Sequence, residues 1–561
     1  MQNTSHAVFE PITRSRTGGL LRSWWQPGIL LAALIFSIPI LTITSFLFQP
    51  SGDVWQHLVD TVLTDYLLNS AALTIGVGLG TLSIGVTCAW LTSLCQFPGK
   101  KVFIWALLMP LAMPAYIIAY TYTGMFDFAG PVQTLIRDWT GWGYGDYFFP
   151  EVRSLGGAIV MLSLVLYPYV YLLARAAFLE QSVCVIEVSR TLGCNAWSSF
   201  YRVALPLARP AIVAGLSLAL METLADYGTV SYFGLGVFTT GIFRTWFGLG
   251  DSAAAAKLAA ILLLFVFALV VIERWSRNRA QYHHTTNRYR QLPQFRLTGY
   301  RAFLAFVGCL LPLLFGFILP ASQLGFWALE TYSDMVDASF ITLTVNTVLL
   351  GLSTAVLAVL LALFFAYGKR ILASKMVLAS VRIVATGYAV PGTIIAVGVI
   401  IPLAWFDNTL DTYMRNRFEV STGLLLSGTL FAVMFAYLVR FLAVSIQSVE
   451  SGLTKISLSM DEAARSMGYR PTETLFRVHI PLMKGSVLTA LLIVFVDVMK
   501  ELPATLILRP FNFNTLAVRA FELASDERLA DSSTAALMIV AVGLLPVILL
   551  SKSIASSRAG S

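Results

Sequence analysis

Residues 343–366 read LTVNTVLLGLSTAVLAVLLALFFA, an apolar run without a charged side chain. At a rise of about 1.5 Å per residue, a helix of this length can cross the roughly 30 Å hydrocarbon core of a bilayer. The run therefore predicts a membrane-spanning helix, and similar runs recur on both sides of it.

The composition of the whole chain supports this interpretation. Of its 561 residues, 57% are hydrophobic and only 12% are charged, and the mean hydropathy is +0.76. Such a chain cannot fold as a soluble protein without leaving large apolar surfaces in water, so it is an integral, all-α membrane protein. Apolar runs predict about twelve spans, at 29–48, 67–94, 102–122, 155–178, 207–226, 254–272, 302–322, 343–366, 377–403, 422–446, 484–500 and 533–551.

The charged and sulfur-containing residues exclude several classes of function. The net charge of +8 does not indicate nucleic-acid binding, because the basic residues fall in short blocks between apolar runs. The five cysteines and five histidines form neither a C-x-x-C pair nor a ligand spacing, which argues against a disulfide framework and a metal centre. No small-residue cleavage site follows the first apolar run, so we expect it to remain as an anchor.

The basic blocks also predict the orientation. They fall in every second loop, and the positive-inside rule then places both termini in the cytoplasm of a bacterial inner membrane. A basic linker lies near mid-chain and divides the sequence. The predicted organisation is a cytoplasmic tail 1–28, a first permease repeat 29–272, a cytoplasmic linker 273–301, a second permease repeat 302–552 and a C-terminal tail 553–561.

The two halves repeat each other. A shift of 277 residues aligns Pro114 with Pro391 and Asn69 with Asn346, and a shift of 275 aligns the loops that follow the fourth span. Polar residues, glycine and proline at fixed offsets are hard to obtain by chance, unlike matches between apolar runs. Because six spans precede the linker, the halves are parallel and are related by an axis along the membrane normal.

The matched loops have one glutamate, glycine and proline spacing in both copies. Each predicts a short helix across the cytoplasmic face, ended by a left-handed glycine and followed by a proline in the first turn of the fifth span. Arginine three residues after the glutamate supports the helix on the same face. The residues concerned are Glu187, Arg190, Gly193 and Pro206 in the first copy, and Glu462, Ala463, Ala464, Arg465, Gly468 and Pro481 in the second.

These loops resemble the signature E-A-A-x3-G-x9-I-x-L-P of the permeases of binding-protein-dependent ABC importers. The second copy matches closely, whereas the first has Val188 and Ser189 in place of the two alanines. The resemblance implies the type I importer permease fold. It also implies two cytoplasmic ABC ATPase subunits bound to the loops and a periplasmic substrate-binding protein. This chain has no G-x-x-x-x-G-K-[ST] phosphate loop, so ATP and Mg belong to the partner ATPase, and we expect no cofactor and no catalytic residue here.

Acidic residues follow the fifth span of each half at membrane depth. Such groups are costly in a bilayer and usually face the bundle interior, so they are candidates for the translocation path or its gate. Either they attract a cation or they form structural pairs with Lys500, Arg509 or Arg244, and the second alternative is favoured because Lys500 lies between two acids. The candidate residues are Glu222, Asp226, Tyr227, Asp497, Lys500 and Glu501.

The sequence around these acids resembles that of the ferric-iron branch of the family, and fused permeases for thiamine or phosphonates share much of this sequence. Carboxylate oxygens suit Fe(III). Two other classes compete with this interpretation. A secondary transporter driven by an ion gradient would not need the matched cytoplasmic loops, and an ion channel would be built from identical subunits around a filter.

Overall fold

Helices make up nearly all of this computed structural model, which describes residues 19–50, 52–143, 145–180, 196–278, 295–372 and 374–556. The first half contains α1 (Gly19–Ser45), α2 (Asp53–Thr61), α3 (Leu63–Leu94), α4 (Lys100–Ala106), α5 (Ala115–Phe126), α6 (Pro131–Thr140), α7 (Leu155–Glu180), α8 (Ala196–Ser199), α9 (Leu205–Ala225), α10 (Gly228–Tyr232), α11 (Phe238–Phe243) and α12 (Ser252–Asn278).

The second half contains thirteen described helices. It contains α13 (Tyr300–Leu313), α14 (Leu319–Met335), α15 (Ala338–Leu372), α16 (Lys375–Ala385), α17 (Gly392–Phe418), α18 (Leu430–Thr454), α19 (Leu458–Ser466), α20 (Pro471–Thr474), α21 (Ile480–Leu482), α22 (Lys484–Met499), α23 (Pro503–Leu508), α24 (Leu516–Ser525) and α25 (Leu529–Ser556). Among the residues described, the only strands are β1 (Cys95–Gln96) and β2 (Phe295–Arg296), which pair in parallel and tie the end of the linker to the first half.

The predicted number of spans is confirmed. Ten helices of the described chain are long and apolar enough to cross a membrane, and two bent pairs bring the number to twelve. The bent pairs are Lys100–Ala112 with Ala115–Thr140, at 91°, and Pro471–Leu482 with Lys484–Met499, at 82°.

Two predicted spans are wrong as single helices. The predicted span 102–122 bends before Pro114, and the predicted span 377–403 is interrupted between Ala385 and Gly392, just before Pro391. A residue that precedes proline is held away from the helical conformation, so the apolar run continues while the helix stops. The span in the second half is α17, which extends 15 residues past the predicted end.

The repeat is visible in an unusual local structure. A π-helical turn occupies Phe200–Ala204 in the first half and Leu475–His479 in the second, 275 residues apart, and Pro206 and Pro481 follow in the next helical turn. A π turn changes the backbone hydrogen-bond register and so accommodates a proline that has no N–H to donate. Pro206 and Pro481 lie in the first turn of α9 and of α21, as predicted, and the π turn joins each of these helices to helical residues that begin at Ala196 and at Pro471.

The halves exchange helices. One apolar core combines α3, α4, α5 and α7 of the first half with α13, α14, α24 and α25 of the second. The other combines α1, α11 and α12 of the first half with α15 to α18, α22 and α23 of the second. The first and last spans of each half thus pack into the core of the other half, so the halves cannot separate without exposing both cores.

Candidate functional site

A cavity of about 120 Å³ lies where the two halves meet, and we call it the inter-half cavity. It brings together all six residues predicted for the path or gate. The first half lines it from the α4–α5 break, α7 and the end of α9, and the second half lines it from α18 and the end of α22. Its ionisable and phenolic lining consists of Tyr116, Tyr169, Glu222, Asp226, Tyr227, Tyr388, Arg440, Asp497, Lys500 and Glu501.

A buried arginine links the acids of the two halves. Arg440 Nη1 donates to Glu501 Oε2 at 2.6 Å, and Arg440 Nη2 lies 3.7 Å from Glu222 Oε2. The side chains of Arg440 and Glu501 are 8% and 6% exposed. Losing either partner would leave a charge buried without compensation, which is far more costly than losing an exposed ion pair.

Lys500 pairs with one of the two acids that flank it. Its Nζ lies 2.9 Å from Asp497 Oδ1, three residues earlier in the chain. The other pairing predictions are wrong. Arg509 pairs with Glu522 at 2.8 Å, and no ion pair of the described residues joins Arg244 to the cavity acids. Both arginines follow the acids closely in sequence, but the short helices that come between direct them elsewhere.

Two of the acids begin short helices. Asp226 accepts hydrogen bonds from Thr229 Oγ1 and the Val230 amide at the start of α10, at 3.0 and 3.1 Å. Glu501, its counterpart in the repeat, accepts one from the Ala504 amide at the start of α23, at 3.3 Å. Both therefore satisfy helix N-terminal amides. Glu222 and Asp497 have no such structural duty at a helix start.

A glycine makes room for the buried ion pair. A Cβ atom on Gly392 would lie 2.5 Å from Glu501 Oε1 and 2.7 Å from Arg440 Nη1. The 277-residue shift places Ala115, which has a Cβ atom, at the equivalent position of the first half. The space needed for the arginine is therefore specific to the second half.

The sequence interpretation missed Arg440 and Tyr388. Arg440 was detectable, because it is a cation within the predicted span 422–446, and such residues in a span mark pairs or pathways. Tyr388 lies at the interrupted end of a wrongly predicted span, and its hydroxyl donates to Glu222 Oε1 at 3.4 Å. The sequence carries no local signal for that contact, since 166 residues separate the partners.

We call residues 183–206 and 458–481 the first and second EAA segments. In the second, α19 forms as predicted, and Glu462, Ala463 and Arg465 are exposed while Ala464 is buried. No ion pair joins Glu462 to Arg465 among the described residues, so the predicted support on that face is wrong, and both side chains are directed to solvent.

The predicted left-handed glycine of the second EAA segment is confirmed. Gly468 has φ +86°, its amide donates to the Arg465 carbonyl at 2.9 Å, and the Tyr469 amide donates to the Ala464 carbonyl at 3.0 Å. This is the Schellman pattern that ends a helix and turns the chain. Glu187, Arg190 and Gly193 of the first EAA segment lie outside the described residues, whereas Pro206 lies in the first turn of α9.

Asp461 fixes α19 to the rest of the protein. Arg370 Nη2 donates to its Oδ2 at 2.5 Å, and His479 Nε2 lies 3.0 Å from its Oδ1. We call Asp461, Arg370 and His479 the Asp461 clamp. Burial raises the pKa of Asp461, but its contacts with His479 and Arg370 outweigh burial and hold the pKa of this carboxyl below its usual value.

The described residues contain no group of three or more His, Cys, Asp or Glu side chains that could hold a metal ion. The site consists of a charged cavity between two interlocked halves, together with the anchored helix α19.

Comparisons with known proteins agree with this architecture. Residues 81–281 match the family described as the inner membrane component of binding-protein-dependent transport systems. An Fe(3+)-transport system permease protein of Haemophilus influenzae is 25% identical over 500 residues, which cover 87% of this chain and 90% of that protein. The chain belongs to the binding-protein-dependent transport permeases.

Other relatives explain why this permease contains two similar halves. A molybdenum transport system permease protein of Escherichia coli is 27% identical over 233 residues, which cover 99% of that protein but only 39% of this chain. One single-copy permease thus corresponds to less than half of the chain. A ferric transport system permease protein of Actinobacillus pleuropneumoniae matches 78% of this chain at 24% identity. This permease is a fused, two-copy transport subunit.

Proposed function

We propose that this permease carries ferric iron across the inner membrane of a bacterium, as the membrane subunit of an ATP-driven importer. The observation that carries the proposal is the charge of the inter-half cavity. Four carboxylates and two cations line it, so negative groups exceed positive ones between the two halves. An acidic, low-dielectric passage concentrates cations and repels anions.

This charge balance separates iron from other cargoes of the family. Relatives whose names specify molybdenum or sulfate are also similar to parts of the chain. Oxyanions such as molybdate and sulfate would meet repulsion from Glu222, Asp226, Asp497 and Glu501, whereas Fe(III) prefers hard carboxylate and phenolate oxygens. The relatives named for ferric or Fe(3+) transport are those aligned over most of the chain.

The size of the cavity is the second argument. Its volume of about 120 Å³ is well below the roughly 300 Å³ at which sites for drug-sized organic ligands begin. A small ion with a few waters suits this cavity better than thiamine or a phosphonate, which are the cargoes of similar fused permeases.

The energy source is a partner. Each EAA segment receives one of two ABC ATPase subunits, which hold ATP and Mg, and a periplasmic binding protein delivers the iron. The positions of the basic loops support a cytoplasmic location for the EAA segments and both termini. The exposed Glu462 and Arg465 of α19 face this partner, while the Asp461 clamp holds the helix from the other side.

Transport then proceeds by alternating access between two arrangements of the halves. In the present arrangement, Arg440 bridges Glu501 of its own half and Glu222 of the other half. Separating the halves on one side lengthens the Arg440 to Glu222 contact and frees Glu222 for a passing cation. Reforming this contact excludes the ion from the side it entered.

Uptake by whole cells tests the cargo. Cells lacking this permease and cells complemented with it would be given radiolabelled Fe(III), molybdate, sulfate or thiamine. We expect complementation to restore accumulation of Fe(III) alone. Restoration of molybdate, sulfate or thiamine uptake without iron uptake would overturn the proposed cargo.

A variant pair tests the path. A double variant Glu222→Gln, Asp497→Asn removes the two acids that cap no helix, and we expect iron uptake to fall while the protein and its ATPase still purify together. Asp531→Asn is the matched control, because Asp531 pairs with Arg528 on the protein surface, away from the cavity. Unchanged iron uptake in the double variant would remove these acids from the path.

A further inference from the structure

The Asp461 clamp grips one carboxylate from two directions. Arg370 donates to Asp461 Oδ2 through Nε at 3.1 Å and through Nη2 at 2.5 Å, and His479 Nε2 lies 3.0 Å from Oδ1. The side chains of Asp461 and Arg370 are 17% and 13% exposed, and that of His479 is fully buried. Both oxygens of Asp461 thus have a close partner in a largely desolvated place. The hydrogen bonds from Arg370 are charge-assisted and therefore strong there, whereas His479 makes a close contact without hydrogen-bond geometry.

Arg370 also holds the chain that leads into α19. Its guanidinium donates to the carbonyls of Leu453 and Ile456, at 2.6 and 3.0 Å. These carbonyls belong to the last turn of α18 and the connection that follows. Three residues before Arg370 in α15, the Tyr367 hydroxyl donates to the Pro471 carbonyl at 2.7 Å, just after α19. The end of α15 therefore fixes the backbone on both sides of α19.

The clamp is separate from the surface that α19 offers to a partner. Glu462 and Arg465 are exposed, whereas Asp461 is turned toward α15. Neighbouring residues of this short helix thus face opposite sides: some face solvent, and Asp461 contacts the membrane-spanning bundle. A variant of Asp461 can therefore alter the inward connection and leave the outward surface intact.

The two arms of the clamp lead toward the inter-half cavity. Arg370 is part of α15, which packs along α22. His479 ends the π turn that leads into α22 after the 82° bend. The last turn of α22 carries Asp497, and Lys500 and Glu501 follow it. A displacement of α19 is thus applied to α22, whose end lines the charged passage, and to α15, which packs along α22.

We propose that Asp461 is a positioning residue that transmits movement of the partner-bound α19 to α15 and α22, with Arg370 and His479 as its two attachments. This inference rests on the proposed function, because it requires an ATPase that moves α19. Asp461 touches neither cargo nor ATP; it converts a rigid-body movement outside the bundle into a movement of α22, whose end lines the cavity, and of α15, which packs along α22.

The test is transport per ATP hydrolysed. The wild-type permease would be purified with its ATPase, reconstituted in liposomes with the loaded binding protein, and assayed for iron uptake and ATP hydrolysis. Asp461→Asn keeps the shape of the side chain but removes its charge. We expect the ATPase to purify with this variant in the wild-type amount and to hydrolyse ATP, while uptake per ATP falls about tenfold, as expected for one lost charge-assisted hydrogen bond.

A second variant guards against a trivial loss of folding. Arg370→Lys keeps the charge but cannot form the forked contact with Asp461 and the two carbonyls. We expect it to lower uptake per ATP in the same direction, by a smaller factor. Asp531→Asn is the matched control, since it removes an equal charge from a surface ion pair, and we expect its uptake per ATP to equal that of the wild type.

The outcomes separate the two proposals. Wild-type uptake per ATP in Asp461→Asn would overturn the transmission role. Loss of the ATPase from the purified variant would also overturn it, because the clamp would then shape the docking surface instead of carrying movement. A wild-type complex that takes up no iron in the presence of ATP would instead contradict the proposed function, before any variant is compared.

Discussion

The two halves of the permease are built alike but are held together by different chemistry at equivalent places. In the second half, an ion pair of Asp461 with Arg370 and a close contact with His479 hold α19. The repeat offsets place Ile186, Ser93 and Ala204 at these three positions of the first half, so neither the ion pair nor the imidazole has a counterpart there.

Aromatic rings surround the first-half counterpart of Tyr367. Trp90, the counterpart of Tyr367, lies 4.7 Å from Phe200, 5.8 Å from Phe178 and 6.2 Å from Phe295, measured between ring centroids. Apolar contacts are not directional, whereas the forked contact of Arg370 with Asp461 fixes an angle as well as a distance. The clamp of the second half is therefore suited to transmitting an oriented movement.

The cavity shows the same inequality. The first half contributes the acids Glu222 and Asp226, while the second contributes acids and both cations, Arg440 and Lys500. Fusion into one chain permits this, because each half can change without a matching change in an identical copy. The first half then acts as the surface against which the charged second half moves.

Removal of the buried cation of the second half has the largest expected effect. Arg440→Met leaves Glu501 buried without its partner, and we expect a loss of about 3–5 kcal/mol in the free energy of unfolding. Thermal unfolding of the purified permease in detergent measures it. Adding Glu501→Leu removes the stranded charge and should recover most of the loss, so a double variant no more stable than Arg440→Met would contradict the pairing.

Gly392 sharpens the comparison between the halves. Gly392→Ala would place a Cβ atom against the ion pair of Arg440 and Glu501, and overpacking of this kind costs about 1–3 kcal/mol. The control is Gly325→Ala in α14, where a Cβ atom meets nothing within 4 Å. We expect that control to be neutral or slightly stabilising in the same unfolding assay, and equal losses in both variants would argue against a tight site at Gly392.

The Asp461 clamp predicts a pH dependence. Because the folded protein holds the pKa of Asp461 below its usual value, the carboxylate stabilises the fold above an ordinary aspartate pKa of about 3.9, and this contribution is lost as the pH falls through the lowered value. The side chain is partly exposed, so we expect about 1 kcal/mol. Unfolding of the wild type and Asp461→Asn between pH 7 and 3 should show a stability gap that closes on acidification; a constant gap would contradict it.

An exposed contact between the halves should matter least. Arg153 Nη2 lies 2.9 Å from Glu527 Oε2, and the two side chains are 37% and 60% exposed. Solvent weakens such a pair, so Arg153→Gln should change the free energy of unfolding by at most about 1 kcal/mol. A loss as large as that of Arg440→Met would show that contacts between the halves do not scale with burial as we infer.

Much of this architecture was predictable from the sequence. The apolar runs predicted twelve spans, and the repeat offset matched structures as local as the π turns at Phe200–Ala204 and Leu475–His479, because glycine and proline residues at fixed offsets constrain the backbone directly. Apolarity alone could not reveal that the helices break before Pro114 and Pro391, since the apolar run continues through both breaks.

The candidate site was predictable in part. The sequence correctly predicted that the ionisable residues at membrane depth face the interior of the bundle, because contact with lipid would be costly for them. Their partners were not predictable, since Arg440 and Tyr388 reach Glu222 from other helices that are distant in sequence. The Asp461 clamp was missed for the same reason, because its three residues come from three separate elements.

Charge reversal of the motif glutamate in each EAA segment tests the central claim of unequal halves most directly. Glu187→Lys and Glu462→Lys change the same motif position in the two copies. ATP-dependent iron uptake would be measured for both in reconstituted complexes. We expect Glu462→Lys to abolish most uptake and Glu187→Lys to retain a substantial part of it, whereas equal losses in the two variants would contradict the account.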